Sequence, residues 1–194
     1  DYQGRDLAVQ AELALDADGR FLALRGTNTS NVGAHTVSFV ALVKGVELMS
    51  SVYKIPVAHF RARAVLSNTA PTNSYRSAGR PEAMFVIERL IDLAATQCGF
   101  DRVSLRRRNL VPVRPRSYVN PLGLTCDGGG YKKAMDAALD LADWQGFSKR
   151  ESRRRGKLRG IGVANYIELT SGIPRERTEI TVTLNGFVDV VIGT

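Results

Sequence analysis

Residues 65–82 read VLSNTAPTNSYRSAGRPE. An apolar, β-forming run ends here, a polar loop follows, and Pro81 opens a helix, because a proline in the first turn has no N–H bond to lose. The small residues Ser77, Ala78 and Gly79 stand between Arg76 and Arg80. Such a loop brings backbone N–H groups close to an anion at a helix N-terminus, where the dipole adds its positive end. Two arginines add forked donors that suit phosphate or oxo groups. The stretch is therefore a candidate anion-binding loop. The plainer alternative is a strand-to-helix turn with its arginines in solvent.

Working outward, Met84, Ile87, Leu90, Ile91 and Ala94 fall at helical spacing, with Glu88, Arg89 and Asp92 on the opposite, polar face. Gly99 is placed to end that helix from a left-handed conformation. The pattern predicts a helix over 81–98 and a short one over 102–109. Pro112, Pro115 and Pro121 make 111–123 a loop or extended crossing. A second clear helix is expected over 130–145, burying Ala134, Met135, Ala138, Leu141 and Ala142. A short helix over 147–155 and a strand over 158–168 follow. Near the start, Val9, Ala11, Leu13 and Leu15 alternate, Asp16–Gly19 turns, and Phe21–Leu24 returns as a second strand. Near the end, Ile180, Val182 and Leu184 alternate with threonines, Asn185-Gly186 turns, and Val188, Val190 and Ile192 continue. Antiparallel β-hairpins with intervening helices define an α+β fold class.

The chain has 194 residues, 44% hydrophobic and 24% charged, the balance of a globular domain. No apolar run approaches the roughly 20 residues of a membrane span. The two cysteines, Cys98 and Cys126, are too far apart for a metal knuckle and are read as reduced thiols of a cytoplasmic chain. His35 and His59 have no partner at zinc-site spacing, and no metal ligand is assigned. The net charge is +8, concentrated in residues 149–159 (KRESRRRGKLR, seven basic residues against one Glu) and in LRRRN at 105–109. No aromatic interleaves the first run, so a solvated or partner-facing helix is favoured over a nucleic-acid-binding one. Cys126-Asp127-Gly128-Gly129-Gly130 lacks the Gly-Lys-Ser/Thr of a phosphate-binding P-loop. It is read as a helix-entry loop with Asp127 near the N-cap. Trp144 is read as core.

The stretch SNTAPTNSYRSAGRPEAMFVIERLIDLAA (67–95) resembles the signature loop and helix of the large, molybdenum-binding subunits of the xanthine dehydrogenase and aldehyde oxidase family. Those read Thr-x-Pro, then Tyr/Phe-Arg-Gly-x-Gly, then Pro-Glu or Pro-Gln. YKIP (53–56), LRRRN (105–109), NPLGLTCDGGGY (120–131), ALDLADW (138–144) and RGKLRGIGVANYIE (155–168) follow in the family's order. The closest flavour is the bacterial aldehyde-oxidase and carbon-monoxide-dehydrogenase-like branch.

The resemblance implies a molybdenum cofactor, a molybdopterin in its cytosine dinucleotide form, with FAD and a [2Fe–2S] centre on partner subunits or domains. It implies oxidative hydroxylation of aldehydes or N-heterocycles with water. It places Arg76 against the cofactor, with Ser77 and Gly79 in the same cofactor-binding turn, and makes Ala78 a lining of the substrate pocket. Xanthine-type enzymes carry an aromatic where Ala78 stands, so purine stacking is disfavoured. Carbon monoxide dehydrogenases carry a copper-binding Cys where Ser77 stands, and a hydroxyl is a poor ligand for Cu(I). The family's catalytic Glu lies in a Gly-x-Gly-Glu string that this sequence lacks, so no residue here is assigned as catalytic. Residues 1–194 are expected to be a fragment of one molybdopterin-binding domain, its N-terminal half, cut at both ends and inactive alone. Its expected partners are the remainder of its own subunit and the FAD and iron–sulfur subunits. A basic module holding nucleic acid through 149–159, and a degenerate scaffold, are the competing readings.

Overall fold

Strand β1 (Leu7–Leu15) and strand β2 (Phe21–Gly33) form the expected first hairpin. Its turn is closed by Asp16, whose Oδ1 accepts from the N–H groups of Asp18 and Arg20. Gly19 takes φ +78° and lies so close to Phe100 and Leu105 that a side chain there meets both. These coordinates come from a computed structural model that describes residues 1–113, 117–126, 128–150, 152–168 and 177–192.

Strand β2 is longer than the sequence predicts. Residues 25–31 (RGTNTSN) carry no apolar alternation, yet Asn28 and Ser30 are buried within the sheet. The chain then crosses through helix α1 (Val40–Glu47), which the sequence reading did not place, and returns as β3 (Val57–Leu66). β2 is the central strand, antiparallel to β1 and parallel to β3, the latter in register from Ala23↔Val57 to Gly33↔Leu66. The α+β class holds, and this parallel pair is an addition to its antiparallel hairpins.

Helices α2 (Arg80–Cys98) and α3 (Arg102–Asn109) fall where the spacing puts them. Gly99 ends α2 at φ +73°, and Asp101 caps α3 by accepting the Ser104 N–H at 2.7 Å. The core gathers Phe21 and Leu24 from β2, the crossover residues Leu48, Val52, Tyr53 and Ile55, and Ile87 and Ile91 from α2. Asn109 ties α3 to the first turn: its Oδ1 accepts from the Phe21 N–H, and its Nδ2 donates to the Gly19 carbonyl, both at 2.8 Å.

Beyond α3, the pair β4 (Tyr118–Val119) and β5 (Thr125–Cys126) lies in the proline-rich crossing. Helix α4 (Tyr131–Leu141) is shorter than 130–145 and buries a different face. Met135 and Leu139 are inside, while Leu141 is 90% exposed. Only one side of α4 meets α3 and the core, so the alanines fall outward. Trp144 is half-buried against the core, as read. The basic run is not helical. A 3₁₀ turn (Phe147–Lys149) is followed by a small hairpin, β6 (Arg153–Arg154) and β7 (Lys157–Leu158). Arg155 and Gly156 turn it with φ +50° and +74°. The strand expected over 158–168 is confined to its first residue. Residues 159–168 run as coil and place Asn165 in the interior. The last hairpin, β8 (Thr178–Val182) and β9 (Val188–Ile192), matches expectation, with Gly186 at φ +85°.

Glu88 corrects the polar-face reading of α2. It is 7% exposed, accepts the Tyr53 hydroxyl at 2.5 Å, and pairs with Arg106, which is fully buried. Arg106 also bonds Asp92 at 2.9 Å. LRRRN is therefore only in part a surface patch: its first arginine, Arg106, is spent inside the core, while Arg107 and Arg108 are exposed.

Candidate functional site

The turn between β3 and α2 is held at three points. After β3 the chain folds back across the end of β2. There Ala34 donates to the Thr69 carbonyl, the Thr72 hydroxyl donates to the Asn31 carbonyl at 2.8 Å, and Gly33 leaves no room for a Cβ beside Pro71. Gln3 lies alongside Thr72, donating to the Pro71 carbonyl and accepting from the Asn73 N–H. Gly79 rests on α1, where an added Cβ would fall 1.9 Å from the Ala41 carbonyl oxygen and 2.9 Å from the Gly45 nitrogen.

Between these points the backbone is left-handed at three successive residues: Ser77 (φ 68°), Ala78 (φ 32°) and Gly79 (φ 89°). For Ser77 and Ala78 this costs on the order of 1 kcal/mol each or more and persists only where the surroundings impose it. The family pattern named above carries Gly at the Ser77 position, which is the residue such a φ favours. The turn is closed by Ala78 N–H to the Tyr75 carbonyl (2.7 Å) and Arg80 N–H to the Ser77 carbonyl (3.1 Å). The N–H groups of Ser77 and Gly79 are given to no protein acceptor among the described residues, and Gly79 is buried. Donors left without a protein acceptor are open to water or to a ligand.

The four residues singled out by sequence are thus on one turn, in different situations. Arg76 is exposed, and its guanidinium makes no ion pair or hydrogen bond among the described residues. Ser77 is half-buried, Gly79 is sealed against α1, and half-buried Ala78 lines a crevice of about 10 Å³ shared with Ser38, Leu42 and Tyr75. That is room for about one water, so the crevice that Ala78 borders among the described residues is not substrate-sized. Arg80 departs from the anion-fork reading. It is 7% exposed, its Nε lies 3.1 Å from Glu168, and its Nη1 donates to the Ser77 carbonyl. Glu168, expected at the end of a strand, comes from the coil that crosses over the helix start. Asp127, read as near the N-cap of this helix, lies outside the described residues, and the residue before α4 is Gly130.

Two neighbours carry no sequence signal. Arg5 donates to the Arg76 carbonyl at 2.6 Å and pairs with Glu82 at 2.7 Å, with its guanidinium carbon 4.9 Å from the Tyr75 ring centre. Asn28, 2% exposed, sits beneath Gly45. Only a pattern-free polar residue in an extended segment marks Arg5 in the sequence.

Elsewhere the ionisable groups are structural. Burial and the adjacent Glu88 charge push the Tyr53 hydroxyl far above its ordinary range. Burial raises the Glu88 carboxyl against the pull of Arg106. A concavity of about 920 Å³ between α3 and α4 is lined by Asp136, Asp140, Asp143 and Trp144. Asp136 is spent on Arg107 and Lys132, and Asp143 on Arg150.

A strained turn that leaves a cation and N–H groups unspent at the head of a nineteen-residue helix has the chemistry to suit an anionic group. Residues 1–110 match the family described as "Molybdopterin cofactor-binding domain", and the chain belongs to that family. It is 30% identical, over 82% of its length, to the 6-hydroxypseudooxynicotine dehydrogenase complex subunit gamma of Paenarthrobacter nicotinovorans. It is 29% identical, over 91% of its length, to the carbon monoxide dehydrogenase large chain of Hydrogenophaga pseudoflava. It covers 21% and 23% of those proteins, so the chain spans about a fifth of the length of the relatives it matches. Its fold superposes on a crystal structure of Cu,Mo-CO dehydrogenase in the carbon monoxide reduced state with TM-score 0.76 and 27% identity, covering 98% of this chain and 27% of that one. No helix among the described residues is long and apolar enough to cross a membrane.

The residues present fit an anionic cofactor. The donors of Arg76, Ser77 and Gly79 are unspent among the described residues, and the carboxylate of Glu82, in the first turn of α2, is neutralised by Arg5.

Proposed function

We propose that this chain is part of the molybdenum-binding subunit of an oxidoreductase that hydroxylates aldehydes or N-heterocycles using water. Electrons would pass to iron–sulfur and FAD partners, and the chain alone would be inactive. One observation carries the reading: the left-handed turn 77–79 leaves an unpaired Arg76 and two free N–H groups at the start of α2. Arg76, Ser77 and Gly79 would hold the cofactor, a molybdopterin in its cytosine dinucleotide form, and Ala78 would face the substrate side. When bound, the cofactor supplies the redox chemistry that inserts a water-derived oxygen into a C–H bond, while the protein supplies orientation and electrostatics.

The chain's own residues bind and orient. Arg76 provides a forked, permanently charged donor, and the turn backbone offers donors fixed before the ligand arrives. Arg80 does not take part, being held by Glu168. Alanine at 78 leaves room and no stacking surface, which favours aldehydes or small heterocycles over purines. Ser77 offers oxygen where carbon monoxide oxidation requires a copper-binding thiolate. The partners are the remainder of the subunit and FAD and iron–sulfur subunits, in keeping with relatives named as a large chain and as a subunit of a complex. A cytoplasmic location belongs to the same proposal and rests on the two unbridged cysteines, Cys98 and Cys126. The nucleic-acid reading gains no support. The hairpin formed by the basic run presents exposed cations, with no aromatic side chain between them on which a base stacks.

The test is molybdenum content by mass spectrometry of the full-length protein encoding this segment, with dye-linked oxidation of aldehydes and N-heterocycles. Molybdenum near one per subunit with turnover is the expected result. Protein free of metal when cofactor synthesis is supported would overturn it.

A further inference from the structure

We propose that Arg5 is a positioning residue that holds the 75–79 turn in its left-handed form, so that Arg76 and the free N–H groups face the cofactor. The cofactor's place at this turn rests on the preceding reading, whereas the hold on the turn does not. Arg5 touches the turn on both sides of its strained residues. Ahead of them it donates through Nη2 to the Arg76 carbonyl at 2.6 Å and covers the Tyr75 ring at 4.9 Å. Behind them its Nε meets Glu82 in the first turn of α2 at 2.7 Å. One planar fork thus spans the run 77–79 with donors fixed in two directions, whereas a lysine offers one ammonium on a flexible stem.

The surroundings show what Arg5 offsets. Glu82, only 15% exposed at its side chain, puts a negative charge beside a turn offered to an anion, and Arg5 cancels it. The Arg76 carbonyl, bonded by Arg5, is fixed in orientation, and with it the peptide that carries the Ser77 N–H. Arg5 is itself anchored, since Gln3 is paired with Thr72, and Asp6 bonds Asn31 through its side chain at 2.8 Å. The segment 3–6 is therefore a brace along the turn.

The experiment compares Arg5→Ala and Arg5→Lys with wild type and with the control Arg25→Ala, which removes an exposed ion pair to Glu12. Two quantities are read in the full-length subunit: amide hydrogen exchange at residues 78 and 80, and molybdenum and pterin content. For Arg5→Ala, exchange at Ala78 and Arg80 is expected to rise about ten-fold and cofactor retention to fall about ten-fold, the scale of one charge-assisted hydrogen bond. Exchange at Ser104, capped by Asp101, should stay unchanged, and Arg5→Lys should fall between. Unchanged exchange at residues 78 and 80, a loss no larger than in Arg25→Ala, or an Arg5→Lys protein equal to wild type would each overturn the proposal. Wild-type protein that binds no molybdenum while Arg5→Ala still loosens the turn would sink the cofactor reading and leave Arg5's hold on the turn standing.

Discussion

Two arginines, thirty positions apart (76 and 106), show how one side chain serves opposite ends. Arg106 is fully buried, bonded to both Glu88 and Asp92 and to the carbonyls of Glu88 and Arg102. Arg76 is exposed, and its guanidinium is bonded to nothing among the described residues. The first is spent on the fold, and the second is kept free by a turn that the fold strains. The contrast teaches that the basic excess of this chain is not one property. Its members divide into those consumed internally and those left for a ligand, and only coordinates separate them.

The largest effect that would break the contrast is Arg106→Ala. It leaves Glu88 buried without its counter-charge and is expected to cost about 3–5 kcal/mol, read by urea denaturation. A loss below roughly 1 kcal/mol, the range of an exposed pair, would mean the cluster is open to water. Next is Gly79→Ala, which drives a methyl group into the Ala41 carbonyl at a left-handed residue. About 1–3 kcal/mol is expected, together with reduced cofactor content, whereas an unaltered melting curve would show that α1 yields freely.

Asp101→Ala removes the α3 cap at a cost of about 1 kcal/mol. The Ser104 N–H holds the Asp101 carboxyl below the usual aspartate range. A carboxyl depressed on folding stabilises above its unfolded pKa, near 4 for aspartate, and that contribution is lost as the pH falls through the folded value. The gap between variant and wild type should therefore be full at neutral pH and close in acid. A gap independent of pH would remove the cap from the account. The smallest effect on stability is Arg76→Ala, expected within about 0.5 kcal/mol yet with most cofactor lost. Stability loss comparable to Arg106→Ala would erase the distinction between the two arginines.

Much of the scaffold was legible because it obeys local rules. Pro81 and Gly99 bracket α2, and Asn185-Gly186 makes the last turn. What stayed hidden depends on residues far apart. α1 reads VALVKGVE, valine-rich and interrupted by Gly45, and it is helical because its face packs on Gly79 and the sheet. The polar half of β2 is a strand because β3 pairs with it in parallel, which no local pattern announces. Glu88 looked solvent-facing because its partners, Tyr53 and Arg106, lie 35 and 18 residues away. At the site, the motif placed Arg76 through Gly79 on one turn, but the Arg80–Glu168 pair and the Arg5 brace join distant segments and left no trace in spacing.

The parallel pairing of β2 and β3 has a kinetic consequence. The first and last hairpins close over a few residues and form within microseconds, whereas Ala23 reaches Val57 only after the whole crossover has been drawn in. The turn at 77–79 leans on α1, which lies in that crossover, so it acquires its shape late, after the slow long-range step. A chain that has only collapsed would carry Arg76 on a relaxed loop. Capture of an anion there would then report a finished fold, and the ligand would arrive as an inspector and not as a nucleus.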